Sequence, residues 1–242
     1  MTSSLQQQRA IITGSSSGIG KATALSFAQA GCNLVLVGRS PERLTAVADL
    51  VSDFGVEATI YPLDLGQLAE VQSHFQAIAE KCGPIDLLIN NAGMGYTNLL
   101  RDTSLTDWQQ VLDLNLTSVF QATMGVLPSM RDRKKGTIIN IASIAAKIAF
   151  PEWGAYCVSK AALVTWAKVV AMEERANGIR VMTISPGSVN TPIWDTATVK
   201  ADFDRSSMLT PEVVAQMILQ AALLPAEAVI DEMTIMPSAG TL

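Results

Sequence analysis

Short apolar runs alternate with longer amphipathic runs along this chain, and that order restricts the possible folds more than any other feature. The longer runs have the 3.6-residue spacing of helices, whereas the short runs are typical of buried strands. The predicted strands are residues 9–13, 33–37, 56–61, 85–89, 137–141, 179–184 and 228–236, and the predicted helices are 21–30, 41–52, 67–81, 106–130, 153–176 and 211–223. Regular alternation predicts an α/β fold, a doubly wound parallel sheet of about seven strands with helices on both faces.

The chain is long enough for one large core, and no segment divides it. Its 242 residues contain no Pro-, Ser- or Gly-rich linker, so a single domain over residues 1–242 is expected. Hydrophobic residues make up 49% and charged residues 16%, which excludes intrinsic disorder. With 17 basic and 22 acidic residues and no basic stripe, the chain lacks the charge pattern of a nucleic-acid-binding protein.

The N-terminus and the rare residue types exclude several other classes of protein. There is no apolar signal region and no run of the roughly 18 apolar residues that a membrane span requires, so a soluble cytoplasmic protein is expected, without a membrane partner. Three widely spaced cysteines, Cys32, Cys82 and Cys157, indicate reduced thiols rather than disulfides. The single His74 leaves no basis for a metal site or a histidine-dependent triad.

A glycine-rich turn follows the first predicted strand. It reads Gly14-Ser15-Ser16-Ser17-Gly18-Ile19-Gly20 and leads directly into a predicted helix. Such a turn lets backbone N–H groups approach a pyrophosphate, and the helix N-terminus adds a partial positive charge. The spacing differs from the commoner G-x-G-x-x-G, and a flexible turn without a ligand is the alternative. The residues expected to contact a dinucleotide are Gly14, Ser16, Ser17, Gly18, Ile19 and Gly20.

The end of the second predicted strand favours NADP(H) over NAD(H). An acidic residue at this point accepts hydrogen bonds from the ribose 2′-hydroxyl, whereas an arginine suits a 2′-phosphate. Here Gly38 removes the carboxylate and Arg39 supplies a guanidinium. A surface arginine without a ligand is the alternative, and no basic residue lies inside the glycine turn.

Two further strand ends are expected to border the nucleotide. Asp64 and Leu65 follow the third strand, near the expected adenine position, with a local turn or helix cap as the alternative for Asp64. The fourth strand ends in Asn90-Asn91-Ala92-Gly93, and the small residues allow a ribose to pack against the main chain. A plain turn is the alternative for Asn91, Ala92 and Gly93.

The candidate catalytic pair lies at the start of a later helix. Tyr156 and Lys160 are four residues apart, so their side chains lie on one helix face. A nearby ammonium lowers the pKa of a phenol from its usual value of about 10, which allows acid–base chemistry near neutral pH. By itself the pair also fits an exposed helix. Ser143 ends the fifth strand, at the edge where parallel sheets bind ligands. Asn115, an amide among apolar residues, either ties its helix to the sheet or holds a proton-relaying water.

Taken together, the order and spacing of these residues resemble the short-chain dehydrogenase/reductase family over roughly residues 9–237. The resemblance implies a Rossmann-like fold, with Tyr156 as the proton donor or acceptor and Lys160 lowering its pKa and binding the nicotinamide ribose. It implies that Ser143 binds the substrate oxygen and that Asn115 anchors a relay water. The further nucleotide contacts that it implies are Pro186, Gly187, Val189 and Thr191.

The expected activity is NADPH-dependent reduction of a ketone or 3-oxo substrate. An NADP-dependent alcohol, hydroxy-acid or serine-type dehydrogenase working oxidatively is the alternative, and a non-catalytic NADP(H)-binding sensor is a weaker one. Segments beside the predicted site supply candidate substrate contacts, with a short lid over residues 192–210 and with Lys147 as either an anion contact or a solvated side chain. These contacts are Ser143, Met94, Phe150, Trp153 and Trp194. The family is commonly oligomeric, so a homotetramer or homodimer is expected.

Overall fold

Seven parallel strands form one sheet in the part of the chain that the computed structural model describes, residues 4–201 and 204–240. They are β1 (Arg9–Thr13), β2 (Asn33–Gly38), β3 (Ala58–Pro62), β4 (Leu87–Asn90), β5 (Gly136–Ile141), β6 (Ile179–Pro186) and β7 (Glu232–Ile235). Their spatial order is β3-β2-β1-β4-β5-β6-β7, and every neighbouring pair is parallel. The doubly wound fold expected from the sequence is confirmed. Strand order reverses between β1 and β4, the position where such sheets bind nucleotides.

Helices cover both faces of the sheet. One face is covered by α1 (Gly18–Gln29), α2 (Pro41–Ser52) and α7 (Pro211–Ala222). The other is covered by α3 (Val71–Lys81), α5 (Ser118–Arg133) and α6 (Gly154–Glu174), with α4 (Leu105–Leu112) leading into α5. Successive strand residues alternate between the two layers: Ile12 packs in the cluster of α1 and α7, and Ile11 packs in that of α3 and α5. Strands buried on both faces must be apolar throughout, which explains the continuous apolar runs.

The helix predicted over residues 106–130 is divided by a π-helical turn. α4 ends at Leu112, the turn covers Asp113–Thr117, and α5 continues from Ser118. A single π-turn inside a helix adds one residue to that turn and frequently accompanies a functional site. Here it carries Asn115, which is fully buried.

The last strand is shorter than the predicted residues 228–236. The guanidinium of Arg180 donates hydrogen bonds to the carbonyls of Leu224, Pro225 and Ala228 at 2.9 to 3.1 Å, which fixes this stretch as a loop. Pairing with β6 therefore begins only at Glu232.

One helix, Gly154–Asn177, is long and apolar enough by length and composition to cross a membrane, although the sequence was not expected to contain such a segment. Its first part is α6, which packs on the sheet through Leu163, Ala167 and Val170. It also carries Tyr156 and buried Lys160, and 44% of its most apolar window is buried.

Candidate active site

A cleft of about 1450 Å³ opens at the carboxyl ends of the strands. Its wall is formed by the loops after β1, β2, β3, β4, β5 and β6, together with the start of α6. The structure brings every predicted site residue to this wall except Gly20 and Asn115. Those two lie behind it and support it.

The glycine turn brings main chain, rather than side chains, to the cleft. Gly14 has φ +65°, and a Cβ there would lie 2.9 Å from the Cα of Ala92. Gly18 has φ +52°, and a Cβ there would lie 3.2 Å from the side chain of Thr191. Side chains at these positions would therefore be strained and would collide with the next loops.

The N-terminus of α1 is suited to an anion. The N-cap residue Ser17 makes no side-chain capping hydrogen bond, and the first turn contains no acidic residue. Unsatisfied N–H groups and the helix dipole together favour a negatively charged group, such as a phosphate, at this point. The twelve-residue helix starts at Gly18 on the cleft wall.

Gly20 and Asn91 join the turn to β4. A Cβ on Gly20 would lie 2.6 Å from the Asn91 amide nitrogen and would also collide with the Gly14 carbonyl. That amide nitrogen donates to the carbonyls of Thr13 and Gly14 at 2.9 and 3.3 Å. The Thr13 hydroxyl accepts the main-chain N–H groups of Asn91 and Ala92, both at 3.0 Å. The two strand ends that flank the switch point are thus held in register.

Two arginines line the cleft near the end of β2. Arg39 was predicted here, whereas Arg43 is an additional residue, located in the first turn of α2. Its signal in the sequence is the short Arg-Ser-Pro-Glu-Arg spacing, in which Ser40 caps the helix through the Arg43 N–H at 3.3 Å. Neither guanidinium has a hydrogen-bond or ion-pair partner among the described residues. Asp64 also lines the cleft, and it forms the local turn considered above by accepting the Gly66 N–H at 3.0 Å.

Tyr156, Lys160 and Ser143 meet at the other end of the cleft. The Lys160 ammonium lies 5.8 Å from the centre of the Tyr156 ring and donates to the Ile141 carbonyl at 3.0 Å. Ser143 caps the turn after β5 by accepting the Ala145 N–H at 3.1 Å. Both side chains line the cleft, so one ligand can meet the two hydroxyl groups.

The expected lowering of the Tyr156 pKa by Lys160 is wrong. Burial is the largest influence and raises the pKa of Tyr156 above 10.0, and hydrogen bonding with Ser143 offsets only part of this shift. Burial has the opposite effect on Lys160. It lowers the pKa of this side chain to about 8, because a low-dielectric site disfavours the ammonium. A neutral phenol at physiological pH is suited to donating a proton.

Asn115 ties the loop after β4 to α6. Its amide accepts the Met94 N–H at 2.8 Å and donates to the Met94 carbonyl at 3.0 Å and to the Ser159 hydroxyl at 3.1 Å. The anchoring alternative therefore has a direct structural basis. The role in a water relay stays a prediction.

Aromatic rings form the wall beyond Tyr156. The Trp153 ring lies edge-to-face with Tyr156 at 5.4 Å and with Trp194 at 5.7 Å between centroids. Met94 and Phe150 line the same cleft, as predicted. The lid expected over residues 192–210 begins with a 3₁₀ turn, Pro192–Asp195, whereas residues 202 and 203 lie outside the described part of the chain.

Comparison with known proteins identifies the family. The chain matches the family model described as short chain dehydrogenase over residues 8–202. It is 36% identical to a D-beta-hydroxybutyrate dehydrogenase of Rhizobium meliloti over 186 residues, 76% of this chain and 72% of the relative. It is 35% identical to a 3-oxoacyl-[acyl-carrier-protein] reductase of Synechocystis over 235 residues, 95% of each chain.

A solved structure shares the fold almost completely. It is an alcohol dehydrogenase from the archaeon Thermococcus sibiricus complexed with 5-hydroxy-NADP, with a TM-score of 0.88, 26% identity and coverage of 96% of this chain and 97% of that one. The family match, the curated relatives and this fold agree with the arrangement of the cleft. The chain belongs to the short-chain dehydrogenase/reductase family, whose members are oxidoreductases acting on hydroxyl and carbonyl groups.

Proposed function

We propose that the protein is an NADPH-dependent carbonyl reductase that acts on ketone or 3-oxo substrates. One observation carries the proposal: Tyr156, Ser143 and Lys160 line the same cleft as the glycine turn and two unpaired arginines. When bound, NADPH supplies a hydride to the carbonyl carbon. Tyr156 and Ser143 donate hydrogen bonds to the carbonyl oxygen, where negative charge develops. Tyr156 then transfers its proton to that oxygen, which completes the alcohol.

The residues of the cleft fit NADP(H). The uncapped N-terminus of α1 would hold the pyrophosphate, and Asn91, Ala92 and Gly93 would lie along the adjoining ribose. Arg39 and Arg43 would bind the 2′-phosphate, since both guanidinium groups lack another partner among the described residues. Lys160 would bind the nicotinamide ribose, and the carboxamide would contact Thr191. The NADP derivative bound to the Thermococcus sibiricus enzyme supports this choice.

An NADP-dependent alcohol or hydroxy-acid dehydrogenase is the second candidate. The similarity to a D-beta-hydroxybutyrate dehydrogenase supports it, because the same residues can remove a proton from an alcohol. A non-catalytic sensor would not require Ser143, Tyr156 and Lys160 together.

Replacing Tyr156 with Phe tests the proposal. The variant retains the ring and its packing but loses the proton donor, so kcat should fall by about 10²- to 10⁴-fold. NADPH binding, measured by nucleotide fluorescence, should stay within about twofold of the wild type. Turnover is followed at about 340 nm with a panel of ketones, β-ketoesters and 3-oxoacyl thioesters. An undiminished kcat in the variant would refute the role of Tyr156.

We further propose one catalytic domain over the whole chain, a short lid near residues 192–210, and a homotetramer or homodimer in the cytoplasm. The three cysteines are free thiols, which suits a reducing compartment. Apolar residues on the outer face of α6 suit contact with another copy.

A further inference from the structure

Two tryptophans form a corner at the substrate end of the cleft. Trp153 and Trp194, here called the aromatic corner, have their ring planes at 69° to each other. Trp153 makes the same angle with Tyr156. A carbonyl oxygen bound to the Tyr156 hydroxyl therefore places the rest of its molecule beside these rings.

Both rings are held in place by the main chain. The Trp194 indole N–H donates to the Val189 carbonyl at 2.8 Å. Glu152, immediately before Trp153, has φ +67°, and its carbonyl accepts the Asn98 N–H at 2.8 Å. A Cβ on Gly95 would lie 3.5 Å from the Trp153 ring, so this loop packs directly against the indole. Rings fixed in this way form a preorganised surface, and a ligand need not order them.

The charged groups of the cleft provide no counterion for an anionic substrate at this end. Arg39 and Arg43 stand at the opposite, adenosine end, and the buried Lys160 ammonium is bonded to the Ile141 carbonyl. The remaining charged residues on the described wall are acidic: Asp64, Asp113 and Asp195. Asp195 is paired with Arg205 at 2.9 Å.

Lys147, the candidate anion contact, is paired with other side chains of the protein. Lys147 does not line the cleft. Its ammonium lies 2.9 Å from a Glu232 carboxylate oxygen and donates to the Thr234 hydroxyl at 2.7 Å. Desolvating a carboxylate at the aromatic corner would therefore lack compensation.

We propose that the substrate is an uncharged aryl ketone whose ring packs into the aromatic corner. The inference rests on the proposed reductase function and narrows it. Aromatic rings favour edge-to-face and offset-stacked contacts. Because the two indole planes stand at 69°, a substrate ring stacked on one indole presents its edge to the other. Hydride from NADPH adds to the carbonyl carbon, the oxygen takes the Tyr156 proton, and solvent returns a proton to Tyr156. A benzylic alcohol and NADP⁺ leave the site.

Three substrates of similar size test this assignment. Acetophenone is the uncharged arene, cyclohexyl methyl ketone lacks the π system, and 4-acetylbenzoate adds a carboxylate. With the wild type and NADPH, we expect kcat/KM for acetophenone to exceed that for each other ketone by about three- to tenfold or more.

Trp194→Leu supplies the second arm, with Trp166→Leu as the matched control. Trp166 contacts Phe120 outside the cleft, at 6.5 Å between ring centroids. Trp194→Leu should lower the ratio of kcat/KM for acetophenone to kcat/KM for cyclohexyl methyl ketone by about three- to tenfold, with both ketones measured at saturating NADPH so that any change in nucleotide binding cancels. Trp166→Leu should preserve the ratio of the two ketones.

The outcomes separate the two proposals. The aromatic-substrate inference is wrong if kcat/KM of the wild type for the cyclohexyl ketone or the benzoate equals that for acetophenone. It is also wrong if Trp194→Leu lowers kcat/KM for both neutral ketones equally. In either case the reductase function stands. If no carbonyl compound in this panel or in the wider panel is reduced, the reductase function fails, and this inference fails with it.

Discussion

Arg39 and Arg43 provide two guanidinium groups at the end of the cleft where we propose that the adenosine binds, without partners among the described residues. A charge-assisted hydrogen bond contributes about 1.5 to 3 kcal/mol, equivalent to about ten- to a hundredfold in affinity. Arg39→Ala should therefore raise KM for NADPH by about that factor and leave KM for NADH nearly unchanged. Steady-state kinetics with both nucleotides measure the effect. An equal loss with both would contradict selection of the 2′-phosphate.

Lys160 should make the pH dependence of stability unusual. Its pKa falls from 10.5 to about 8 on folding, so the unfolded chain binds more protons between these values and stability rises with pH there. Below about pH 8 the buried ammonium carries a full penalty, on the order of 3 kcal/mol. Lys160→Met lacks this titration. The stability of the variant relative to wild type should be greatest at pH 6 to 8 and should decline as pH approaches about 10.5.

Urea unfolding of both proteins at several pH values measures this difference. The change with pH is diagnostic, because the aliphatic packing altered by the substitution contributes equally at each pH, whereas the penalty on the buried ammonium does not. A difference that stays constant from pH 7 to 10 would show that the ammonium is not penalised by burial.

The two residues of the candidate catalytic pair could be identified from the sequence, but the direction of the Tyr156 pKa shift could not. The spacing of Tyr156 and Lys160 indicated a shared helix face, and both side chains do line one cleft. The direction of the Tyr156 pKa shift depends on burial, which arises from neighbours distant in sequence. Arg43 was missed because its proximity to Arg39 depends on where α2 begins.

At the scale of local elements, Gly20 of the glycine turn can be compared with Gly55, which lies in the turn between α2 and β3. Gly20 is packed against Asn91 and the Gly14 carbonyl, whereas Gly55 has φ +71° and open space within 4 Å. Gly20→Ala should destabilise the protein by about 1 to 3 kcal/mol through overpacking and weaken NADPH binding. Gly55→Ala should cost only about 1 kcal/mol, from its left-handed backbone, with binding unchanged. Urea unfolding and nucleotide fluorescence measure both. Equal effects on binding would contradict the supporting role of Gly20.

Secondary structure was predictable wherever a segment is buried by the sheet. Among the strands buried on both faces, β1, β2 and β5 agree with the apolar runs to within one residue, and β4 and β6 agree to within two. The errors lie where tertiary contacts decide. The π-turn at Asn115 accompanies bonds to Met94 and Ser159, and the late start of β7 follows from the bonds that Arg180 makes. No local pattern encodes such long-range hydrogen bonds.

At the scale of the whole molecule, one outer face of α6 bears on the assembly proposed above. Val169 and Met172 follow Val158 by 11 and 14 residues, which places all three on one face of the helix. Val158, Val169 and Met172 are 45%, 48% and 75% exposed, respectively. Exposed apolar residues grouped on one face suit contact with another copy of the chain.

The double variant Val169→Asp, Met172→Glu should reduce the assembly to a smaller species, because a charge at a buried contact lacks a partner. Light scattering coupled to size exclusion measures the mass, and circular dichroism checks the fold. Phe54→Glu, an exposed apolar position away from α6, is the control and should leave the mass unchanged. An unchanged mass in the double variant would exclude this face as the interface.

Because all strands are parallel, every loop that lines the cleft leaves the same rim of the sheet. The turn at Gly55 joins α2 to β3 at the opposite rim, and a Cβ added at Gly55 would meet no atom within 4 Å. A fluorophore or a surface tether attached there would point away from the cleft. The enzyme can thus be immobilised or labelled at that turn with its chemistry facing freely into solution.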